Sequence, residues 1–345
     1  MYRIVREKLH IFYAAISSFA ALYLPVKKGE GADFALYKEG VEVATDVLKT
    51  DRSPKGIFFP QSEDMMKFSC RGGELKVEAF EQGDKECVLF GVRACDRQAF
   101  EVLDRVFLSE PVDTSYQKRR EKTTVITLAC SRPEESCFCG VFQIDATMPG
   151  GDVSGWLTKT HLYLEPNSEK GEKFMRRISE LETDLFEVSD GAEMLPIREK
   201  TKEILKKLPF AALDLSKFTP ENLNKIFDEE EVWKELSGSC LGCGVCTFVC
   251  PTCQCFDIRD FKTPTGVIRY RCWDSCMYSD FTLMAHGNSR TTQMQRYRQR
   301  FMHKLVYFPS QYGMYSCVGC GRCVDKCPQG LNIVKVIKKF GGVEV

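Results

Sequence analysis

The order of hydrophobic segments predicts an N-terminal half that combines strands and helices. A continuous apolar run over residues 87–92 is followed by apolar residues at helical spacing over 98–107, and a second apolar run covers 123–129. This order indicates a strand–helix–strand unit, whose two strands are normally parallel and close together in one sheet. We therefore predict an α/β domain over residues 1–215.

Shorter segments extend this prediction. Residues 4–19 place apolar side chains at helical spacing and predict an amphipathic helix that packs on the core. The basic residues before it resemble the start of a signal peptide, but Glu7 lies among them and Ser17 and Ser18 interrupt the apolar part, so we do not expect one. Further patterns predict strands at 23–26, 32–37, 56–59, 75–80 and 158–164, a helix cap at 62–64, and helices at 168–182 and 198–208.

One cysteine motif, C-x2-C-x2-C-x3-C-P, occurs twice in the C-terminal part. The first motif is Cys240, Cys243, Cys246, Cys250 and Pro251, and the second motif is Cys317, Cys320, Cys323, Cys327 and Pro328. This spacing is typical of bacterial 4Fe-4S clusters, in which the fourth cysteine ligates the other cluster. We therefore assign one cluster to Cys240, Cys243, Cys246 and Cys327, and a second cluster to Cys317, Cys320, Cys323 and Cys250.

Glycines between these cysteines favour the same interpretation, because the backbone must approach a cluster closely and adopt positive φ. Two other uses of the cysteines fit the sequence less well. Structural zinc sites usually pair two C-x2-C knuckles and need no regular third and fourth cysteine before a proline. A disulfide scaffold suits small secreted domains, whereas a chain of 345 residues can bury an ordinary core.

The long segment 251–316 between the two motifs does not fit a compact ferredoxin hairpin. We predict inserted helices over 273–286 and 291–305, following a helix that starts at Pro220, and hence a helical, two-cluster ferredoxin-like domain over 216–345. Four further cysteines lie in this segment, at positions Cys253, Cys255, Cys272 and Cys276. They either hold another cluster or line the surroundings of the first one. The basic residues of 290–304 form a solvated helix face, or a cationic strip that docks a partner or offsets cluster charge.

A third group of cysteines lies in the α/β half. Cys95 follows the predicted strand 87–92, and Cys130 follows the strand 123–129, so both lie at the carboxyl ends of strands, where open α/β sheets bind ligands. Cys137 and Cys139 follow on a loop that can fold over this edge. These four thiols predict a third cluster, with Asp96 as a reserve ligand. The alternative is that some of them are buried structural thiols.

Composition restricts the partners. Basic and acidic residues number 48 each, so nothing favours nucleic acid or an anionic membrane surface. No apolar run has the length of a membrane span. Many reduced thiols and oxygen-labile clusters fit an anaerobic, reducing interior, and we expect a cytoplasmic protein.

Longer phrases around these cysteines resemble a known family. The phrases are CLGCGVCTFVCPTCQCFDI, RCWDSCMYSDFTLMAHG, RYRQRFMHK and CVGCGRCVDKCPQG in the C-terminal part, and FFPQSEDMMKF, FGVRACDRQAFEVLDRVF and LACSRPEESCFCG before it. They are similar to the iron-sulfur beta subunits of sulfhydrogenases, which are soluble NiFe hydrogenases, and to the A subunit of anaerobic sulfite reductase. The resemblance covers nearly the whole chain.

This resemblance implies a non-catalytic electron-transfer subunit of an oxidoreductase complex. In that family the subunit relays electrons between a flavin- and 2Fe-2S-bearing subunit that is linked to NAD(P)H and a catalytic subunit. The chain itself has no G-x-G-x-x-G after a strand and no P-loop, so no nucleotide site of those types is predicted. The alternative is a catalytic reductase component that binds a substrate or cofactor at the sheet edge near Cys95 and Cys130.

Overall fold

The computed structural model describes residues 1–47, 49–80 and 85–341. The strands of this part are β1 Tyr2–Val5, β2 Ala21–Lys28, β3 Gly31–Leu36, β4 Ser62–Arg71, β5 Glu74–Ala79, β6 Cys87–Val92, β7 Thr123–Leu128, β8 Val153–Leu157, β9 His161–Pro166, β10 Glu187–Val188, β11 Phe256–Thr263, β12 Gly266–Trp273, β13 Leu283–Met284 and β14 Gly287–Asn288. The α-helices are α1 Leu9–Ser17, α2 Ala94–Phe107, α3 Thr114–Lys122, α4 Glu169–Leu181, α5 Met194–Lys206, α6 Leu223–Asp228, α7 Glu230–Ser237, α8 Val245–Phe248, α9 Gln293–Met302, α10 Phe308–Tyr312, α11 Arg322–Lys326 and α12 Ile333–Gly341.

A mixed sheet organises the N-terminal half. In the described residues it has eight strands in the order β10-β1-β9-β8-β7-β6-β2-β3. The central strands β2, β6, β7 and β8 run parallel, as the strand–helix–strand pattern predicts for β6 and β7. The carboxyl ends of β6 and β7 therefore lie side by side, and the residues that follow them meet at one edge.

Helices cover both faces of this sheet. Successive residues of a strand point to opposite faces, and on β7 Val125 packs with Phe100 of α2, whereas Ile126 packs with Phe12 of α1. The predicted helices over 168–182 and 198–208 correspond to α4 and α5. The helix predicted over 4–19 corresponds to α1 only from Leu9 onward, because β1 and a 3-10 turn precede it. Helix α4 begins at a Ser168 cap whose side chain accepts a hydrogen bond from the Gly171 N–H. The mixed α/β fold class is confirmed.

The insert between the two cysteine motifs differs from the sequence prediction. The predicted helix over 273–286 is wrong, because residues 256–273 form the hairpin β11–β12 and the following residues form turns and the short pair β13–β14. Strand β12 also pairs with β4, which gives a second sheet in the order β11-β12-β4-β5. The helix cap predicted at 62–64 is therefore the start of strand β4.

This second sheet contains strands from both sides of the predicted domain boundary at residue 215. Buried Arg271 of β12 bonds to Glu63 of β4 at 2.7 Å and also to Asp113. The residues predicted as a strand over 56–59 instead form a 3-10 turn at Pro54–Ile57 that packs under this sheet. The two-part division at 215 stays a prediction.

The C-terminal helices form a separate hydrophobic core. Trp233 of α7, Phe301 of α9 and Ile337 of α12 are fully buried in it. Helix α9 starts with a capping box of Thr292 and Gln295 and continues through a π-helical turn at His303–Tyr307 into α10. Within the described residues, no helix combines the length and apolar character needed to cross a membrane.

Candidate functional site

The first motif surrounds one cavity together with the last cysteine of the second motif. This first cavity of about 440 Å³ is lined by the three leading cysteines, by Arg300 and by the distant cysteine of the other motif, namely Cys240, Cys243, Cys246 and Cys327. Two of these sulfurs accept hydrogen bonds, Cys240 from the Gln293 amide at 3.4 Å and Cys327 from the Leu331 N–H at 3.2 Å. Cys243 is exposed, so the cavity lies at the surface.

The second motif surrounds a more enclosed cavity. This second cavity of about 340 Å³ is lined by Cys317, Cys320, Cys323 and Cys250. Burial raises the pKa of the Cys317 thiol to about 12, and the charge of Lys304 partly opposes this rise. The structure thus brings each fourth cysteine to the cavity of the other motif, which is the arrangement that the sequence predicts.

The third group of cysteines also meets in one place. Cys95, at the start of α2, and Cys130, after β7, line a third cavity of about 430 Å³ with Cys137 and Cys139 of the loop 131–140. Burial is the main cause that raises the pKa of Cys130 to about 11 and that of Cys139 to about 12. The four thiols are therefore enclosed at the sheet edge rather than scattered through the core.

The three cavities are contiguous. Arg300 lines both the first and the second cavity, and Gly319 and Cys320 line both the second and the third. The order first, second, third therefore leads from the surface beside Cys243, through the C-terminal helices, to the edge of the large sheet.

Buried cations occupy this sequence of cavities. Arg300 is 2% exposed, and its Nε and Nη1 have no hydrogen-bond partner within the part of the chain that the structure describes. The Lys304 ammonium lies 3.5 Å from the Cys250 sulfur and donates to Thr252 and to the Ser316 carbonyl. Isolated buried cations are costly, and iron-sulfur clusters with four thiolates are anionic. The cations therefore fit clusters in the first two cavities. Both lie on the segment 290–304, so this part of the segment is not a solvated helix face.

The loop positions of the motifs fit clusters as well. Gly242, Gly244, Gly319 and Gly321 all adopt positive φ, as expected from the sequence. A methyl group on Gly319 would lie 2.5 Å from the Phe138 backbone, and one on Gly321 would lie 2.6 Å from the Ser136 carbonyl. The second motif thus packs directly against the loop 131–140 of the third cavity.

A buried ion pair also joins the second motif to the N-terminal half. The Arg322 guanidinium, 2% exposed, bonds to both carboxylate oxygens of Asp96 at 2.6 and 2.8 Å. Because both oxygens of Asp96 accept from Arg322, this side chain is engaged in joining the two halves rather than free as the reserve ligand expected from the sequence. Lys49 bonds to Glu134 and Asp325 at the mouth of the third cavity.

Comparison with known proteins agrees with this architecture. Residues 239–331 match the family described as 4Fe-4S dicluster domain. The chain is 33% identical over 338 residues to the sulfhydrogenase 2 subunit beta of Pyrococcus furiosus, and the alignment covers 94% of each chain. The chain belongs to the sulfhydrogenase beta-subunit family. Its dicluster domain makes it an iron-sulfur member of that family.

In the present chain, the cysteines of each group surround a cavity and do not converge on a single point. Among the described residues, no group of three or more Cys, His, Asp or Glu side chains could hold a single metal ion. A tetrahedral zinc site needs four sulfurs about 2.3 Å from one ion, whereas the thiolates of a cubane bond to four different irons. The arrangement therefore favours clusters over zinc.

The cysteines of the insert divide into two groups. Cys253, Cys255 and Cys276 lie near one another beside Cys250 of the second cavity, where the Cys253 thiol is hydrogen-bonded to Cys250 and the Cys255 thiol to Cys276. Cys272 lies apart on β12, where its register partner is Asp257 of the neighbouring strand β11. The two groups could not be separated by sequence spacing alone, because the β11–β12 hairpin decides which thiols meet.

Some important residues gave no signal in the sequence. Arg322 lies between Cys320 and Cys323 of the second motif. The motif defines only the positions of its cysteines, so it does not indicate a role for this arginine. Lys55 is 2% exposed in the 3-10 turn before β4 and donates to the Cys253 carbonyl at 2.8 Å. The local sequence of Lys55 reads as an ordinary surface loop, and only the tertiary structure places it beside the thiols.

Proposed function

We propose that this protein relays electrons through three 4Fe-4S clusters as a subunit of a hydrogenase-type complex. Cys240, Cys243, Cys246 and Cys327 would hold the first cluster, Cys317, Cys320, Cys323 and Cys250 the second, and Cys95, Cys130, Cys137 and Cys139 the third. The clusters change oxidation state one electron at a time, and the protein tunes their potentials by charge, hydrogen bonds to sulfur and exposure. No residue of the chain is assigned a catalytic role.

The observation that carries this proposal is the contiguity of the three cavities. Each neighbouring pair shares lining residues, Arg300 in one case and Gly319 with Cys320 in the other. A cluster in each cavity would have its neighbour on the far side of one or two side chains. This arrangement suits stepwise electron transfer better than three independent structural clusters.

The third cluster is supported by its donor set and its charge environment. Four thiols line one cavity, and cluster binding would take up their sulfurs as thiolates and release their protons. The Arg93, Lys49 and Arg322 side chains line the same cavity and offset added negative charge.

Electrons would enter or leave where the first cavity reaches the surface. Cys243 is exposed and Leu241 beside it is 64% exposed, so a partner can approach this cluster closely. The family suggests a flavin- and 2Fe-2S-bearing, NAD(P)H-linked subunit on one side of the relay, and a catalytic subunit of the hydrogenase or sulfite reductase type on the other. All eighteen cysteines are free thiols in the structure, which suits a reducing, cytoplasmic location.

Iron analysis of the anaerobically purified native complex tests this proposal. We expect about twelve irons on this chain, and about eight in the variants Cys95→Ser and Cys130→Ser, because each would lose the third cluster. The variant Cys87→Ser is the control, since Cys87 is a half-buried thiol of β6 away from the cavities, and it should keep all three clusters.

The iron count also separates the alternatives. About eight irons in the unaltered chain would leave Cys95 and Cys130 as free thiols. That result would favour a catalytic reductase component with its substrate site in the third cavity. A colourless protein without iron would contradict the relay altogether, and clusters that dithionite cannot reduce would indicate a structural role.

A further inference from the structure

Two cysteines of the insert form a pair outside the three cavities. The Cys255 and Cys276 thiols are hydrogen-bonded to each other, and the Cys276 N–H also donates to the Cys255 sulfur. The backbone fixes this pair, because the Asp274 N–H donates to the Cys255 carbonyl at 3.0 Å, directly before the β11–β12 register starts at Phe256 and Trp273. Both thiols are half-buried, so protons can reach them from solvent.

The pair lies next to the second cavity. Cys253 links the two places, since its thiol is hydrogen-bonded to Cys250, which lines the second cavity, and its charge acts on Cys276. Lys304 acts by its charge on both Cys250 and Cys255. Cys253 therefore lies between the Cys255–Cys276 pair and Cys250. Electrons need to cross only this short distance to reach a cluster held by Cys250.

A buried lysine faces this group of thiols. Lys55 lies 4.1 Å over the Trp273 ring, its Nζ donates to the Cys253 carbonyl, and no carboxylate in the described residues pairs with it. Burial lowers the pKa of Lys55, while the Cys253, Cys250 and Cys255 sulfurs oppose that effect. A buried ammonium without a carboxylate is stabilised when a nearby thiol becomes a thiolate.

We propose that Cys255 and Cys276 are a redox-active dithiol that stores two electrons beside the clusters. In the oxidising direction, the Cys255 and Cys276 S–H bonds break, one S–S bond forms, two protons go to solvent, and two oxidised clusters each accept one electron. In the reducing direction, two reduced clusters each return one electron and solvent returns two protons. This inference rests on the electron relay proposed above.

Other features agree with this assignment. The hydrogen bond from Cys276 lowers the pKa of Cys255, which favours this sulfur as the nucleophile when the disulfide forms. Cys272 of β12 has no thiol partner among the described residues, and burial raises its pKa. Within the described chain these thiols form no site that could hold a metal ion, so ion binding does not account for the pair.

The unaltered protein gives the first test. The native complex is poised anaerobically with redox mediators at a series of potentials, free thiols are alkylated, and peptides are analysed by mass spectrometry. We expect one disulfide-linked pair containing Cys255 and Cys276 in the oxidised sample and two alkylated thiols in the reduced sample. Alkylation of both residues at every potential, or a link from Cys253 instead, would overturn the proposal.

Variants give the second test. Cys255→Ser and Cys276→Ser should each accept two electrons fewer per chain in a reductive titration, with iron content unchanged, whereas the control Cys272→Ser should behave as the unaltered protein. Loss of about four irons in the first two variants would mean that these thiols ligate a cluster, which overturns the dithiol. Intact cluster signals without a disulfide refute this inference alone, whereas absent cluster signals refute the relay.

Lys55→Met tests the role of the buried cation. The ammonium favours thiolate in the reduced pair, and a disulfide is more oxidising when its reduced form is stabilised. Removing the charge should therefore favour the disulfide by about tenfold, which is a shift of about 30 mV to a more negative potential for a two-electron couple. An unchanged potential would contradict a role for Lys55 in tuning the pair.

Discussion

The first cysteine motif lies at the surface of the protein, whereas the second is enclosed between the C-terminal helices and the N-terminal sheet. Corresponding positions show the contrast, since Leu241 is 64% exposed and its counterpart Val318 is 2% exposed. The exposed Cys243 likewise corresponds to the buried Cys320. Identical spacing thus produces two different environments.

This contrast separates two levels of information. Spacing and glycines determine how a motif folds around a cavity, and the glycines of both motifs adopt positive φ. The surroundings are determined by contacts with distant segments, such as Arg322 with Asp96. The second motif is therefore an integral part of the contact between the two halves, and the first motif is free to meet a partner.

The largest expected effect comes from removing the ion pair that holds the second motif. Asp96→Asn leaves the buried Arg322 guanidinium without a carboxylate, which typically costs about 3–5 kcal/mol. We expect a correspondingly lower denaturant midpoint, measured anaerobically by circular dichroism with the clusters in place.

Asp51→Asn is the matched control for this variant. The pair Asp51–Lys326 also joins the N-terminal half to α11, but its side chains are 41% and 44% exposed. Exposed pairs contribute about 0–1 kcal/mol because water screens them. Equal losses in the two variants would show that the buried ion pair has no special part in enclosing the second motif.

The next effect compares the same glycine in the two motifs. Gly242 and Gly319 adopt φ of 65° and 60°, so alanine costs about 1–2 kcal/mol of backbone strain at either position. A methyl group at 242 would meet the flexible Gln293 side chain at 3.0 Å, whereas at 319 it would meet the Phe138 backbone at 2.5 Å. Gly319→Ala should therefore lose a further ~1–3 kcal/mol from overpacking.

Unfolding midpoints of the two alanine variants, with their iron content, check this difference. Because Phe138 precedes Cys139, Gly319→Ala should also reduce occupancy of the third cavity, and Gly242→Ala should not. Similar losses of stability and iron from both variants would indicate that the contact of the second motif with the loop 131–140 is loose.

The sequence is informative where the structure is local. The apolar runs of β6 and β7 predict parallel neighbours and place Cys95 beside Cys130, because residues after parallel strands share one sheet edge. The β11–β12 hairpin was also readable, since Thr263 to Gly266 is a turn sequence between alternating segments. The predicted helix over 273–286 was wrong because the residues after β12 form turns and the short pair β13–β14 instead.

Long-range pairing could not be read from the sequence. Strand β12 pairs with β4, and the ends of that contact are about two hundred residues apart, as Arg271 with Glu63 shows. Nor could the pattern show that Lys55 and Lys304 are buried, because a lysine is normally solvent-exposed. The burial of these lysines depends on the distant segments that pack around them, and that information lies in the tertiary structure.

The smallest expected effect concerns the electrostatic difference between the two motifs. Lys304 lies beside Cys250 of the second cavity, and the first cavity has no lysine among the described residues that line it. Reduction adds negative charge to a cluster, and a buried cation favours that charge. Lys304→Met should therefore make the second cluster harder to reduce, by about tenfold or about 60 mV for one electron, and leave the first almost unchanged.

A redox titration followed by electron paramagnetic resonance can separate the two clusters. Lys234→Met is the control, because this lysine is 51% exposed on α7 and pairs with surface glutamates, so its loss should shift neither potential measurably; its partners among the described residues are Glu230 and Glu231. Equal shifts of both clusters in Lys304→Met would mean that its charge acts on the whole domain. In that case the enclosure of the second motif would not confine the field of Lys304, and the difference between the motifs would be steric rather than electrostatic.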